Sequence, residues 1–145
     1  MASRLIVRDA FFLRSMGKRQ ISRISADGSR EVVVDNHEGN RLNSPNDLVF
    51  HSDGSLYFTD PPYGLAAQDD DPAKEVAVNG IYRLSADGEL SLLADQTRPN
   101  GIGLSPDESV SMLQTLTTRA KFGWCTTFGF PRHADQWTRI CRCYG

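Results

Sequence analysis

The chain repeats itself, and the repeat limits what it can fold into. ISRISADGSREVVVD (residues 21–35) aligns with IYRLSADGELSLLAD (residues 81–95) at an offset of 60. SPNDLVFHSDG (44–54) aligns with RPNGIGLSPDE (98–108) at an offset of 54. Two matches in the same order, at nearly the same period, mark one supersecondary unit used more than once. Periods of this size suit the blades of a β-propeller or another repeat array.

The unit reads as hairpins. Ile21–Ile24 alternates apolar and polar residues, Ala26-Asp27-Gly28 turns the chain, and Glu31–Val34 returns as its partner. Ile81–Leu84, Ala86-Asp87-Gly88 and Leu90–Leu93 do the same. Between them, Leu48–Phe50 and Leu56–Phe58 flank the turn Ser52-Asp53-Gly54, and both runs are aromatic or aliphatic and free of proline. Residues 66–79, AAQDDDPAKEVAVN, break the pattern and read as a solvated loop, because three adjacent aspartates lack the spacers of an EF-hand. The expected fold is all-β: about two blades of a propeller over residues 17–109, after a non-matching segment 1–16 and before an irregular tail, 110–145.

Composition matters at that last boundary. Residues 1–109 carry 11 Lys+Arg against 17 Asp+Glu, whereas residues 110–145 carry 5 against 1. Cys125, Cys141 and Cys143, with Trp124 and Trp137, all lie in the tail, which has no DG turn. The change reads as a frameshift near residue 109 or as disordered sequence. With His133, these cysteines fit no common closed zinc site, and an odd number gives no disulfide framework. A net charge of −2 points to neither nucleic acid nor an acidic membrane surface as partner. No run of about 18 apolar residues suggests a transmembrane helix. The head lacks the apolar core of a secretory signal, so a cytoplasmic location is expected.

The candidate site comes from the repeat register. The innermost strand of a propeller blade runs beside the central channel, and the loop entering it opens at one channel end. Asn46 precedes Leu48–Phe50, and Asn100 precedes Ile102–Leu104, at equivalent repeat positions. Neighbouring blades would aim both amides at one axial point, where neutral oxygens joined by a carboxylate suit a hard cation such as calcium. Pro-Asn-Asp and Pro-Asn-Gly are equally ordinary turn sequences, so both readings stand.

RLNSPNDLVFHSDGSLYFTDPPYGL (41–65), with RPNGIGLSPD downstream, resembles the gluconolactonase, senescence marker protein and luciferin-regenerating enzyme family over residues 17–109. That resemblance implies part of a six-bladed β-propeller with one divalent metal in its channel, hydrolysing a small-molecule sugar lactone. Calcium is the metal implied first, with zinc, magnesium or manganese as alternatives. By the same resemblance Asn46 and Asn100 touch the metal, Asn46 also contacts the substrate, and Arg41 orients substrate hydroxyls. Asp47 and Asp60 are the channel-end carboxylates implied for proton transfer. The cation would polarise the lactone carbonyl while a carboxylate takes a proton from water. The family's metal-binding glutamate of the first blade and aspartate of a later blade have no counterpart here. The alternative function is therefore a catalytically inactive fragment or a non-enzymatic propeller-type binding module.

Overall fold

A computed structural model describes the backbone of residues 4–7, 10–108, 110–115, 124–129 and 138–141, and the side chains of residues 12–108. Among these residues the chain forms three four-stranded antiparallel sheets. The first runs β1 (Arg4–Val7), β2 (Ala10–Ser15), β3 (Gln20–Ile24) and β4 (Arg30–Val34) in sequence order. A short ribbon follows, β5 (Asn36–His37) with β6 (Asn40–Arg41). The second sheet contains β7 (Leu48–Phe50), β8 (Leu56–Asp60), β9 (Gly80–Leu84) and β10 (Leu90–Asp95). The third contains β11 (Pro99–Leu104), β12 (Val110–Thr115), β13 (Trp124–Gly129) and β14 (Thr138–Cys141).

The sequence led us to expect about two such sheets and an irregular tail, and strand pairing extends beyond both boundaries. β1 and β2 fall in the segment 1–16, while β12, β13 and β14 fall in the tail. RLIV, AFFLRS, VSMLQT and WCTTFG have the aliphatic, aromatic and β-branched content that favours strands, without the DG turns on which the repeat reading relied. The frameshift and disorder readings also concern residues 116–123, 130–137 and 142–145, which lie outside the described residues.

The repeated turns form as their sequences require. Gly28 and Gly88 take φ of 83° and 90°, a region that costs glycine nothing. Their N–H groups donate to Ser25 O at 2.9 Å and to Ser85 O at 3.0 Å. Glu108 occupies the corresponding place after Ser105 and adopts φ 55°.

Alternation sorts the second sheet's side chains into two cores. Leu56, Phe58 and Tyr82 pack with Ile21, Val34 and Leu42 toward the first sheet. Tyr57 and Ile81 pack with Ile102 toward the third. Every residue of β8 is consequently buried. Each large apolar side chain buried in this way contributes about 1.5–3 kcal/mol. The middle sheet is thus fixed from both faces, which sets where its first strand and the preceding loop lie.

Candidate functional site

The loop 42–47 enters β7 and is held by groups that do not face a ligand. Asp60, fully buried at the end of β8, accepts the Asn43 N–H on Oδ2 and the Ser44 N–H on Oδ1, both at 2.7 Å. Burial raises its carboxyl to about pH 7, against the opposing pull of those two N–H groups and of Arg19 and Lys74. Asn43 Nδ2 donates to Asp60 O at 3.1 Å and Val78 O at 2.9 Å. Ser44 Oγ donates to Pro61 O at 2.5 Å and accepts the Gly64 N–H at 2.9 Å. Asparagine and serine are suited to this work, since each satisfies backbone groups that a tight loop leaves unpaired. From the other side, buried Arg19 donates to Leu42 O at 2.5 Å, Ala73 O at 2.8 Å and Arg41 O at 3.2 Å.

Thr59 then registers the second sheet against the third. Its Oγ1 accepts the Asp47 N–H at 3.1 Å and donates to Asn100 O at 2.7 Å. Asn46 N–H donates to Thr59 O at 2.9 Å, and Thr59 N–H to Asp47 O at 3.0 Å. Asp47 Oδ2 accepts the Ile102 N–H at 3.0 Å, a second tie between the loop and β11.

These ties bring the two asparagines together. Asn46 Nδ2 donates to Asn100 Oδ1, and Arg14 Nη1 donates to Asn46 Oδ1. Arg14, Asn46 and Asn100 form a polar row with one member from each of the three sheets or their entry loops. All three are half-buried, which leaves part of the row open to a ligand.

The remaining candidates are placed differently. Arg41 lies exposed on β6, with its guanidinium donating to Lys18 O at 3.4 Å and its backbone N–H to Glu75 Oε2 at 2.8 Å. Asp60 directs both carboxylate oxygens to the loop backbone. Asp47 is next in sequence to Asn46 and commits one oxygen to Ile102. Arg14 and Thr59 are site residues that sequence reasoning missed. Arg14 lies in the segment that matched no repeat, and Thr59 reads as an ordinary β-branched strand residue.

The donor set can be tested against a divalent cation. Calcium takes six to eight oxygens, several of them usually charged. Here the Asn46 oxygen is engaged by a guanidinium and the Asn100 oxygen by the Asn46 amide. Among the described residues, no group of three or more His, Cys, Asp or Glu side chains could hold a metal ion. As held in this structure, the row does not fit a divalent cation.

Three comparisons bear on this geometry. Residues 8–121 match the SMP-30/Gluconolactonase/LRE-like region family. A gluconolactonase of Zymomonas mobilis is 58% identical over 81 residues, covering 55% of this chain and 23% of the relative. A lactonohydrolase of Aspergillus oryzae is 30% identical over 88 residues, covering 59% of this chain and 20% of the relative. The solved structure of a gluconolactonase from Xanthomonas campestris superposes with a TM-score of 0.76 at 35% identity, covering 91% of this chain and 44% of that one. The chain therefore matches between a fifth and a quarter of the length of these curated relatives, and less than half of that solved structure. Its three sheets superpose on part of that structure, and the fold is that of a partial β-propeller. No helix among the described residues is long and apolar enough to cross a membrane.

Proposed function

The chain belongs to the SMP-30/gluconolactonase/LRE-like family, and on that premise we propose that it binds a small sugar lactone at the Asn46–Asn100 pair and serves its hydrolysis. The observation that carries this reading is the pair itself: two amides at equivalent repeat positions, hydrogen-bonded to each other and half exposed. Asn46 Nδ2 spends one of its two hydrogens on Asn100. Its second hydrogen and those of Asn100 Nδ2 are the donors assigned to the lactone's carbonyl oxygen.

In the reaction, water adds to the lactone carbonyl carbon, the ring C–O bond breaks, and the ring oxygen leaves as a hydroxyl. The product is an open hydroxy acid. Negative charge develops on the carbonyl oxygen in the tetrahedral intermediate, where preorganised amide donors act most strongly. Asp47, steadied through Oδ2 by the Ile102 N–H, takes the proton of the attacking water on its other oxygen and returns it to the departing ring oxygen. Asp60 has a structural role in this scheme, as the anchor of the loop that carries Asn46. No step is drawn through a metal ion.

The engagement of Asp47 with Ile102 favours one second reading, in which the pair binds a lactone without turning it over. Acid release from glucono-δ-lactone, corrected for the buffer blank, separates the two. The hydrolase reading expects acceleration that falls about 10²-fold in Asn46→Ala and in Asn100→Ala, the scale of a lost oxyanion donor. Saturable lactone binding without acceleration supports the second reading. Acceleration unchanged in both variants removes the pair from the reaction.

A further inference from the structure

We propose that Arg14 sets the cation preference of this site by competing with a divalent cation for Asn46. The inference rests on the contact between the two side chains and stands whether or not the lactone is hydrolysed here. Asn46 Oδ1 is the atom that a cation held by this pair would need. In the structure it accepts from Arg14 Nη1. The guanidinium carries a fixed positive charge on a planar fork of donors, so it both takes up one of the oxygen's two lone pairs and repels a second cation brought to the same oxygen.

The contact also orients the amide. A side-chain amide offers one acceptor and two donor hydrogens, and the guanidinium selects which end faces it. With Oδ1 turned to Arg14, Nδ2 is turned to Asn100, where it donates to Oδ1. One arginine therefore determines the state of both asparagine oxygens. While it is in place, the pair presents N–H donors and suits an oxygen-bearing ligand. When it is removed, Asn46 can rotate, and both oxygens become available to a hard cation. The nearby carboxylates do not reverse this bias. Asp47 Oδ2 accepts from Ile102 N–H, and both Asp60 oxygens accept from loop N–H groups.

Arg14 is placed for this role by the backbone. It lies on β2, paired with Ile21 of β3, whose side chain is fully buried. A side chain carried on a paired strand holds its position better than one on a free loop. The guanidinium reaches across to a neighbouring sheet, so the interaction reports the packing of the first sheet on the second.

The test uses the full chain in chelator-treated buffer, titrated with calcium and, as a luminescent probe, terbium. Three variants are compared with wild type: Arg14→Met, Arg14→Lys, and Arg14→Met combined with Asn46→Ala. The expected result is weak binding in wild type and in Arg14→Lys, a dissociation constant at least tenfold lower in Arg14→Met, and loss of that gain in the double variant. Equal affinities in wild type and a folded Arg14→Met, as judged by circular dichroism, would overturn the proposal. Should Arg14→Met fail to fold, the Asn46 side-chain amide resonances of wild type decide the matter. No saturable calcium-dependent shift supports the competition, and a saturable shift at micromolar calcium refutes it.

Discussion

Replacing Tyr82 with phenylalanine should make this protein more stable, although the residue is among its most buried. Tyr82 is fully buried on β9, its ring stacked on Phe58 with centroids 5.3 Å apart and planes 19° apart. His37 covers another side at 5.1 Å. The hydroxyl is buried too, and among the described residues it has no hydrogen-bond partner. Burial, reinforced by the carboxylates of Asp60, Asp95 and Glu38, raises its pKa well above the usual tyrosine range, so it stays a neutral, desolvated O–H. A buried hydroxyl without a partner costs about 1–3 kcal/mol, and phenylalanine removes that cost while keeping the ring. Against it stand the dispersion contacts of one oxygen atom, on the order of a few tenths of a kcal/mol. The net expectation is a gain of about 1 kcal/mol. With a urea m-value of about 1–3 kcal/mol/M, the unfolding midpoint should rise by roughly 0.5 M with m unchanged. A midpoint lowered by a similar amount would mean that the hydroxyl is bonded in solution, and the argument from desolvation would fail.

Two further outcomes follow from the same sheet and its loop. Gly80→Ala places a Cβ 2.3 Å from Tyr82 Cε2 and 2.8 Å from Leu92 Cδ1. Leu92 is partly exposed and can give way, while the Tyr82 ring cannot, so urea unfolding should show a loss of about 1–3 kcal/mol. A loss below about 0.5 kcal/mol would show that the ring repacks. Asp60 should make stability fall as pH rises from about 4 to 7. Its folded pKa, about 7, lies above the ordinary 3.8, so the folded chain keeps a proton that the unfolded chain has released. The group's contribution is complete below pH 3.8 and is lost as pH rises through 7. That loss amounts to at most about 4 kcal/mol at 1.36 kcal/mol per unit. Asp60→Asn cannot titrate and should flatten the profile, whereas parallel profiles for the two proteins would refute the assignment.

Much of the middle of this molecule was legible because its signals are local. The alternation in LVF and LYFTD divides Leu56 and Phe58 from Tyr57, and the structure sends them to different cores. Gly28 and Gly88 mark turns whose geometry only a few residues tolerate. The repeat register puts Asn46 and Asn100 at equivalent positions, and the structure joins their side chains by a hydrogen bond. Other features depend on contacts between residues distant in sequence, which local patterns do not encode. Asp60 lies in the same quoted run as Asp47, yet its carboxylate points back to Asn43 and Ser44 rather than to the asparagine pair. Arg41 precedes Asn46 by five residues, and the intervening loop carries it to the exposed ribbon instead. Arg14 was hidden for the opposite reason, since its segment has no repeat signature although its strand pairs in register with β3.

The polar row has a consequence for how the molecule comes apart. In a stack of repeats each unit touches only its neighbours, and an array loosely joined in that way tends to lose its units one after another. Here Arg14, Asn46 and Asn100 fasten three successive sheets at one end, outside both apolar cores. The central amide bonds both outer members, Arg14 through its oxygen and Asn100 through its nitrogen. The cluster that would meet a ligand thus also ties the three sheets to one another.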